Sequence, residues 1–204
     1  MSGHGPDPAE LRRLARRYLV RFRSPLLIEE GAVRDICHYA RVGYETPMKR
    51  ETYGFLFSTL SPENRLVIRR ACYYRGAIKT RTSVQFKDWG TVRRIRERRQ
   101  QLAAGLRMRF AGSFHSHVEV AGEVFRGLSP SDRESFRYDV MSSVELVAFI
   151  WPGFKPPQEA SRKAVVAYDT RREYHYRIRA YARRMRGIRH VPLRVVPSGV
   201  IIVR

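Results

Sequence analysis

The chain is predicted to fold as an α/β domain with one curved mixed β-sheet and helices packed against it. Three observations predict this. Helical and strand-like stretches follow one another as helix, hairpin, helix, strand, helix, strand, hairpin, the alternation that builds mixed α/β architectures. The run Val144–Trp151 is nearly all apolar, as a central strand buried on both faces should be. The length of 204 residues suits a single domain with a full core, and is short for two domains or for a complete β/α barrel.

Residues 1–7 read as a tail. Asp7 and Pro8 then open a helix to Phe22 with the stripe Leu11, Leu14, Ala15, Tyr18, Leu19 and Phe22, its remaining faces rich in arginine. Pro25–Ile28 reads as a short strand, and Val33, Ile36, Cys37 and Ala40 give 31–43 helical spacing. Pro47 breaks the chain before a strand at Glu51–Ser58, and the turn signal Ser61-Pro62-Glu63-Asn64 pairs it with 65–74. Thr82–Phe86 fits a strand or an ordered loop. Val92, Ile95 and Leu102 define a helix at 91–104 that carries Arg93, Arg94, Arg96, Arg98 and Arg99, read as a solvated face. A strand at 106–114 puts Met108, Phe110, Gly112 and Phe114 on one face. A short helix follows at 131–138, then the apolar strand and the loop 152–157. A hairpin joins 163–169 to 173–181, where Tyr174, Tyr176 and Ile178 alternate with His175, Arg177 and Arg179. Residues 183–189 read as a basic linker and 191–203 as an apolar hairpin or extension. These readings divide the chain into an N-terminal tail and basic helix (1–24), a central domain (25–182) and a C-terminal linker and extension (183–204).

A formal net charge of +21, from 35 arginines and 5 lysines against 19 acids, creates a positive field that draws nucleic acid, anionic membranes or acidic proteins. Part of the arginine excess fits the codon usage of a GC-rich genome. Apolar content of 43% and eleven tyrosines fit a globular chain. Cys37 and Cys72 show neither metal spacing nor a disulfide framework. No targeting segment and no run of about eighteen apolar residues is evident, so the expectation is a soluble, cytoplasmic protein without a membrane partner.

The chemistry concentrates in Gly112-Ser113-Phe114-His115-Ser116-His117 and Leu128-Ser129-Pro130-Ser131-Asp132. Side chains alternate along a strand, so His115 and His117 project the same way, about 7 Å apart at Cα, and can converge on one cation. Ser116 turns to the opposite face. Asp132, near the start of the short helix, is the candidate third ligand. Two histidines and one carboxylate leave a tetrahedral position open, the layout of a catalytic rather than a structural zinc. Plainer readings stand beside this one: a histidine pair by chance, and Ser129-x-x-Asp132 as a helix cap.

Taken with Glu51, 64 residues upstream of His115, the set Glu51 … His115-x-His117 … Ser129-x-x-Asp132 resembles the JAMM (MPN-plus, JAB-domain) metalloproteases. Glu51, Gly54 and Leu56 match that family's Glu-x-x-Gly-x-Leu, and Gly112 with His115 its Gly-x-x-His. The resemblance runs from Leu26 to Tyr181. It implies a three-layer fold of the JAB/MPN, cytidine-deaminase-like kind, and Zn2+ held by His115, His117 and Asp132. It also implies Glu51 as the proton shuttle and Ser129 as the oxyanion donor. The implied reaction is hydrolysis of an amide or isopeptide bond at the tail of a ubiquitin-like protein or in a related peptide. Three departures bear on the substrate groove: Val118 stands where the family has proline, the loop 118–128 is four residues longer than the pattern, and Ser58 replaces a glycine. Three other readings remain open. The same ligands make the facial triad of non-haem iron oxygenases. A RadC-like, nucleic-acid-associated protein fits the basic charge. A scaffold without activity fits the fold, although such relatives usually lose ligands and this chain keeps them all.

Overall fold

The computed structural model describes residues 13, 22–79, 84–85, 89–119, 127–153, 163–184 and 187–197. The expected N-terminal helix, most of the loop 118–128 and the segment 198–204 lie outside the described residues. The described elements are β1 (Arg23–Glu29), α1 (Glu30–Tyr44), β2 (Tyr53–Leu60), β3 (Arg65–Tyr73), β4 (Ile78–Lys79), β5 (Val84–Gln85) and α2 (Trp89–Leu106). They continue with β6 (Arg109–His117), α3 (Pro130–Tyr138), β7 (Val144–Pro152), β8 (Ala164–Asp169), β9 (Tyr174–Arg184), β10 (Gly187–Val191) and β11 (Leu193–Val196). No helix among the described residues is long and apolar enough to cross a membrane.

One mixed sheet of nine strands runs in the order β10-β9-β7-β6-β2-β3-β1-β11, with β8 pairing β9. Its core strand is the apolar one: β7 lies between parallel β6 and antiparallel β9, and Val144–Ile150 are all buried. The C-terminal segment corrects the reading of 183–204 as a linker and extension outside the sheet. The stretch read as a linker holds the end of β9 and the start of β10, and β10 passes through Pro192 into β11. β10 pairs with β9 at one edge while β11 pairs in parallel with β1 at the other and touches β8. The two edges therefore meet, and the sheet is a near-closed barrel.

The helices divide between its faces. Ala32, Val33, Ile36 and Ala40 of α1 pack with Leu56, Phe114, Leu146, Ala148 and Ile178. On the other face, Ile95 of α2 meets Tyr53, Phe55 and Phe57, and Phe136 of α3 meets Val147 and Phe149. Alternation along β2 and β7 thus separates the two sides, as the strand period requires.

Two expectations about faces are overturned. The pairing of β2 with β6 steps from Leu56↔Gly112 to Phe57↔Phe110, so one extra residue, Ala111, interrupts the register. A bulge reverses which face the following side chains take. Met108 and Phe110 therefore join α2, whereas Phe114 joins the α1 side. Along β9, His175 and Arg177 are buried rather than turned to solvent. The reason is packing on that face: His175 stacks between Trp151 and Tyr168, and the Arg177 guanidinium lies 6.0 Å from the Trp151 ring centre.

The two motif glycines serve close strand approach. A Cβ on Gly112 would come within 1.8 Å of the Val144 carbonyl oxygen, and one on Gly54 within 2.3 Å of the Phe114 ring. Only glycine lets β6 sit against β2 and β7 at the level of the histidines.

Candidate metal centre

The strand carrying the histidines runs on to His117 instead of ending before them, because β7 pairs with it as far as His117↔Phe149. Both rings are buried and face the α2 and α3 side. Their Nε2 atoms lie 3.0 Å apart. Ser116 points to the opposite face as alternation demands, and its hydroxyl oxygen accepts from the Thr52 amide at 2.9 Å. With the Ser116 amide donating to the Thr52 carbonyl at 3.0 Å and Tyr53 opposite His115, the start of β2 is pinned beside the histidine end of β6.

Asp132 arrives from α3, and here the cap reading and the ligand reading hold together. Ser129 is the N-cap: its Oγ accepts the Asp132 amide at 3.1 Å, while Asp132 Oδ2 accepts the Ser129 amide at 2.8 Å. That reciprocal box satisfies helix-end donors and fixes the carboxylate. The same Oδ2 lies 3.2 Å from His117 Nε2 and 3.5 Å from His115 Nε2. The three atoms form a triangle, and these residues make up a cluster able to hold a metal ion. A tetrahedral zinc with bonds of about 2.0–2.1 Å spaces its ligands roughly 3.3 Å apart, so the donor set fits that ion.

Electrostatics agree with a cation at the centre of the triangle. Burial alone would lower the His115 imidazole, but hydrogen bonds to Asp132 and Glu145 hold it well above the usual histidine range. Burial would raise the Asp132 carboxyl, yet the two histidines hold it far below the usual carboxylate range.

Glu51 sits two residues ahead of β2 rather than on it and is only 6% exposed. Burial pushes its carboxyl up to about 8, with the His115 charge opposing and the Asp132 charge reinforcing the shift. A cavity of ≈ 70 Å³ opens at the cluster, lined by Glu51, Tyr53, His115, Asp132, Ser135 and Glu145 among others. Ser129 contributes its Oγ at the head of α3, 2.9 Å from Ser131 Oγ. Val118, in the position of the family's proline, is buried in the main core, and the Ser58 hydroxyl is buried without a hydrogen-bond partner.

One residue of the site is absent from the reading of the sequence. Glu145 of β7 takes the other ring nitrogen of His115, Nδ1, at 2.7 Å. Its signal was a single carboxylate inside an otherwise apolar strand, since a buried acid needs a partner.

No family model and no curated protein matches the chain. Among solved structures it is similar to the solution structure of protein DSY2949 from Desulfitobacterium hafniense, with a TM-score of 0.53 at 12% identity over 85% of this chain and 94% of that one. A likeness at that identity speaks for the fold alone.

Proposed function

We propose that this chain is a zinc-dependent amide hydrolase of the JAMM kind, with His115, His117 and Asp132 as metal ligands and Glu51 and Ser129 as the catalytic pair. The observation that carries the reading is the Nε2, Nε2, Oδ2 triangle with a buried, non-ligand carboxylate beside it. The near-closed sheet with α1 on one face and α2 and α3 on the other is compatible with the three layers that this family implies.

A zinc ion bound there supplies a Lewis acid that brings the pKa of water towards 7. The protein's own groups do the rest. In its ionised form, the minor one at neutral pH with the carboxyl raised to about 8, Glu51 takes a proton from water in the cavity and returns it to the leaving nitrogen, a role that needs a carboxylate near the metal but not on it. The Ser129 hydroxyl donates to the substrate carbonyl oxygen as that oxygen gains charge, and one such donor is typically worth roughly 3 kcal/mol. The capping box holds that hydroxyl beside the third ligand. The substrate proposed is the tail of a ubiquitin-like protein or a related peptide. The exposed Arg93, Arg94, Arg96 and Arg98 of α2 offer a basic surface to an acidic protein or to nucleic acid.

Metal analysis tests the ligands. Protein purified without added metal is expected to carry zinc near one equivalent per chain, and His117→Ala to lose it. Full zinc retention after replacement of both histidines would remove the site.

A further inference from the structure

We infer that the buried pair Ser113–Glu145 fixes the tautomer and direction of His115, with Glu145 as the positioning residue; the inference rests on the ligand role proposed for His115. Ser113 Oγ donates to Glu145 Oε2 at 2.5 Å, and Glu145 Oε1 lies 2.7 Å from His115 Nδ1. Arg99 donates from Nη2 to the Tyr53 hydroxyl oxygen at 2.9 Å. All five residues are buried.

The direction of every proton follows from the groups themselves. An ionised carboxylate only accepts, so the Ser113 hydroxyl gives its proton to Glu145. For the same reason its second oxygen calls for a hydrogen on His115 Nδ1. With Nδ1 protonated and occupied, the lone pair of the neutral ring is left on Nε2, the atom that faces His117 and Asp132.

The sheet itself sets up this arrangement. Ser113 and His115 sit two apart on one face of β6, and the parallel register puts Glu145 opposite Ser113. Beside it, the Arg99–Asp139 ion pair ties α2 to the end of α3, the helix that supplies Asp132. Loss of such an outer partner typically weakens metal binding about 10–100-fold.

Zinc affinity, read by competition with a chromophoric chelator, tests the inference with Glu145→Gln. The substitution keeps shape, but a glutamine that accepts from Ser113 turns its NH2 towards Nδ1 and favours the wrong tautomer. The expected result is zinc binding weaker by about 10–100-fold, with the downfield Nδ1–H proton of His115 in the zinc-loaded protein shifted or lost. Ser113→Ala, which removes only the outer donor to Glu145, is expected to weaken binding less. Its smaller effect keeps the test readable if Glu145→Gln folds poorly. Parent-like affinity in both variants, with the Nδ1–H signal unchanged, would overturn the inference and leave the ligand reading standing. A parent protein that binds no zinc would overturn both.

Discussion

Glu51→Gln is expected to keep the fold and the zinc yet lower the rate of amide cleavage by roughly two to four orders of magnitude. The residue is buried beside the histidine and aspartate cluster but is not part of the donor triangle, so its loss should spare the metal. Glutamine matches it in shape and cannot carry a proton between water and the leaving nitrogen. Were Glu51 only a charge at the mouth of a strand, the exchange would be close to neutral, since isolated substitutions away from special contacts usually shift stability by under about 0.5 kcal/mol. Zinc-loaded variant and parent are compared on the same substrate, by turnover number and by zinc content. Equal rates would eliminate Glu51 as the shuttle.

Arg99→Met is expected to destabilise the fold by about 1.5–3 kcal/mol, the range for hydrogen bonds to a charged group, because Arg99 is buried while the Asp139 side chain stays 23% exposed. That is a large share of the roughly 5–15 kcal/mol that holds a typical domain together. The guanidinium gives two hydrogen bonds to Asp139, at 3.0 and 2.7 Å, and a third to Tyr53. Its carbon also lies 4.4 Å from the centre of the Phe110 ring. Methionine keeps the packing and leaves Asp139 with Ser142 and the Met141 amide. Urea denaturation reads the loss, and the double variant with Asp139→Asn should lose less than the sum of the two. The pair also has a pH signature. Burial would raise the Asp139 carboxyl, but the Arg99 charge and hydrogen bonds hold it below its ordinary value. Its contribution to stability is therefore complete above about pH 4 and lost as pH falls from there through the depressed folded value. The acid limb of the stability curve should flatten in Arg99→Met. A loss under about 1 kcal/mol, the size expected of a surface pair, would show that Arg99 is not a buried tie.

Period and punctuation made most of the framework legible. The apolar run at β7, the turn at Ser61–Asn64 and the helical spacing of α1 each carry their own local signal, and each element is where that signal puts it. The histidine pair was equally local, because alternation alone aims both rings at one point. What local pattern could not show is which strands meet. Nothing in Gly187–Val196 says that its two halves pair with opposite edges of one sheet, so barrel closure was invisible. The bulge at Ala111 likewise depends on the partner strand.

Two charged residues carry a signal of burial in the sequence. Arg99 stands four residues after Ile95 and three before Leu102, on the apolar stripe of its own helix, and was grouped with its exposed neighbours instead. Glu145 was the one charge within β7. In both cases a charged residue at a core position marks a buried polar contact, and that of Glu145 is to His115 itself.

The most direct test of the central claim is metal-dependent cleavage. Ubiquitin-like fusions and short peptides are offered to zinc-loaded protein, to protein stripped with a chelator, and to stripped protein given zinc again. Cleavage of an amide bond is expected that disappears on stripping and returns with zinc. Cleavage that persists undiminished in fully stripped protein, or a zinc-loaded protein that cuts none of the panel, would contradict the assignment of this site to amide hydrolysis.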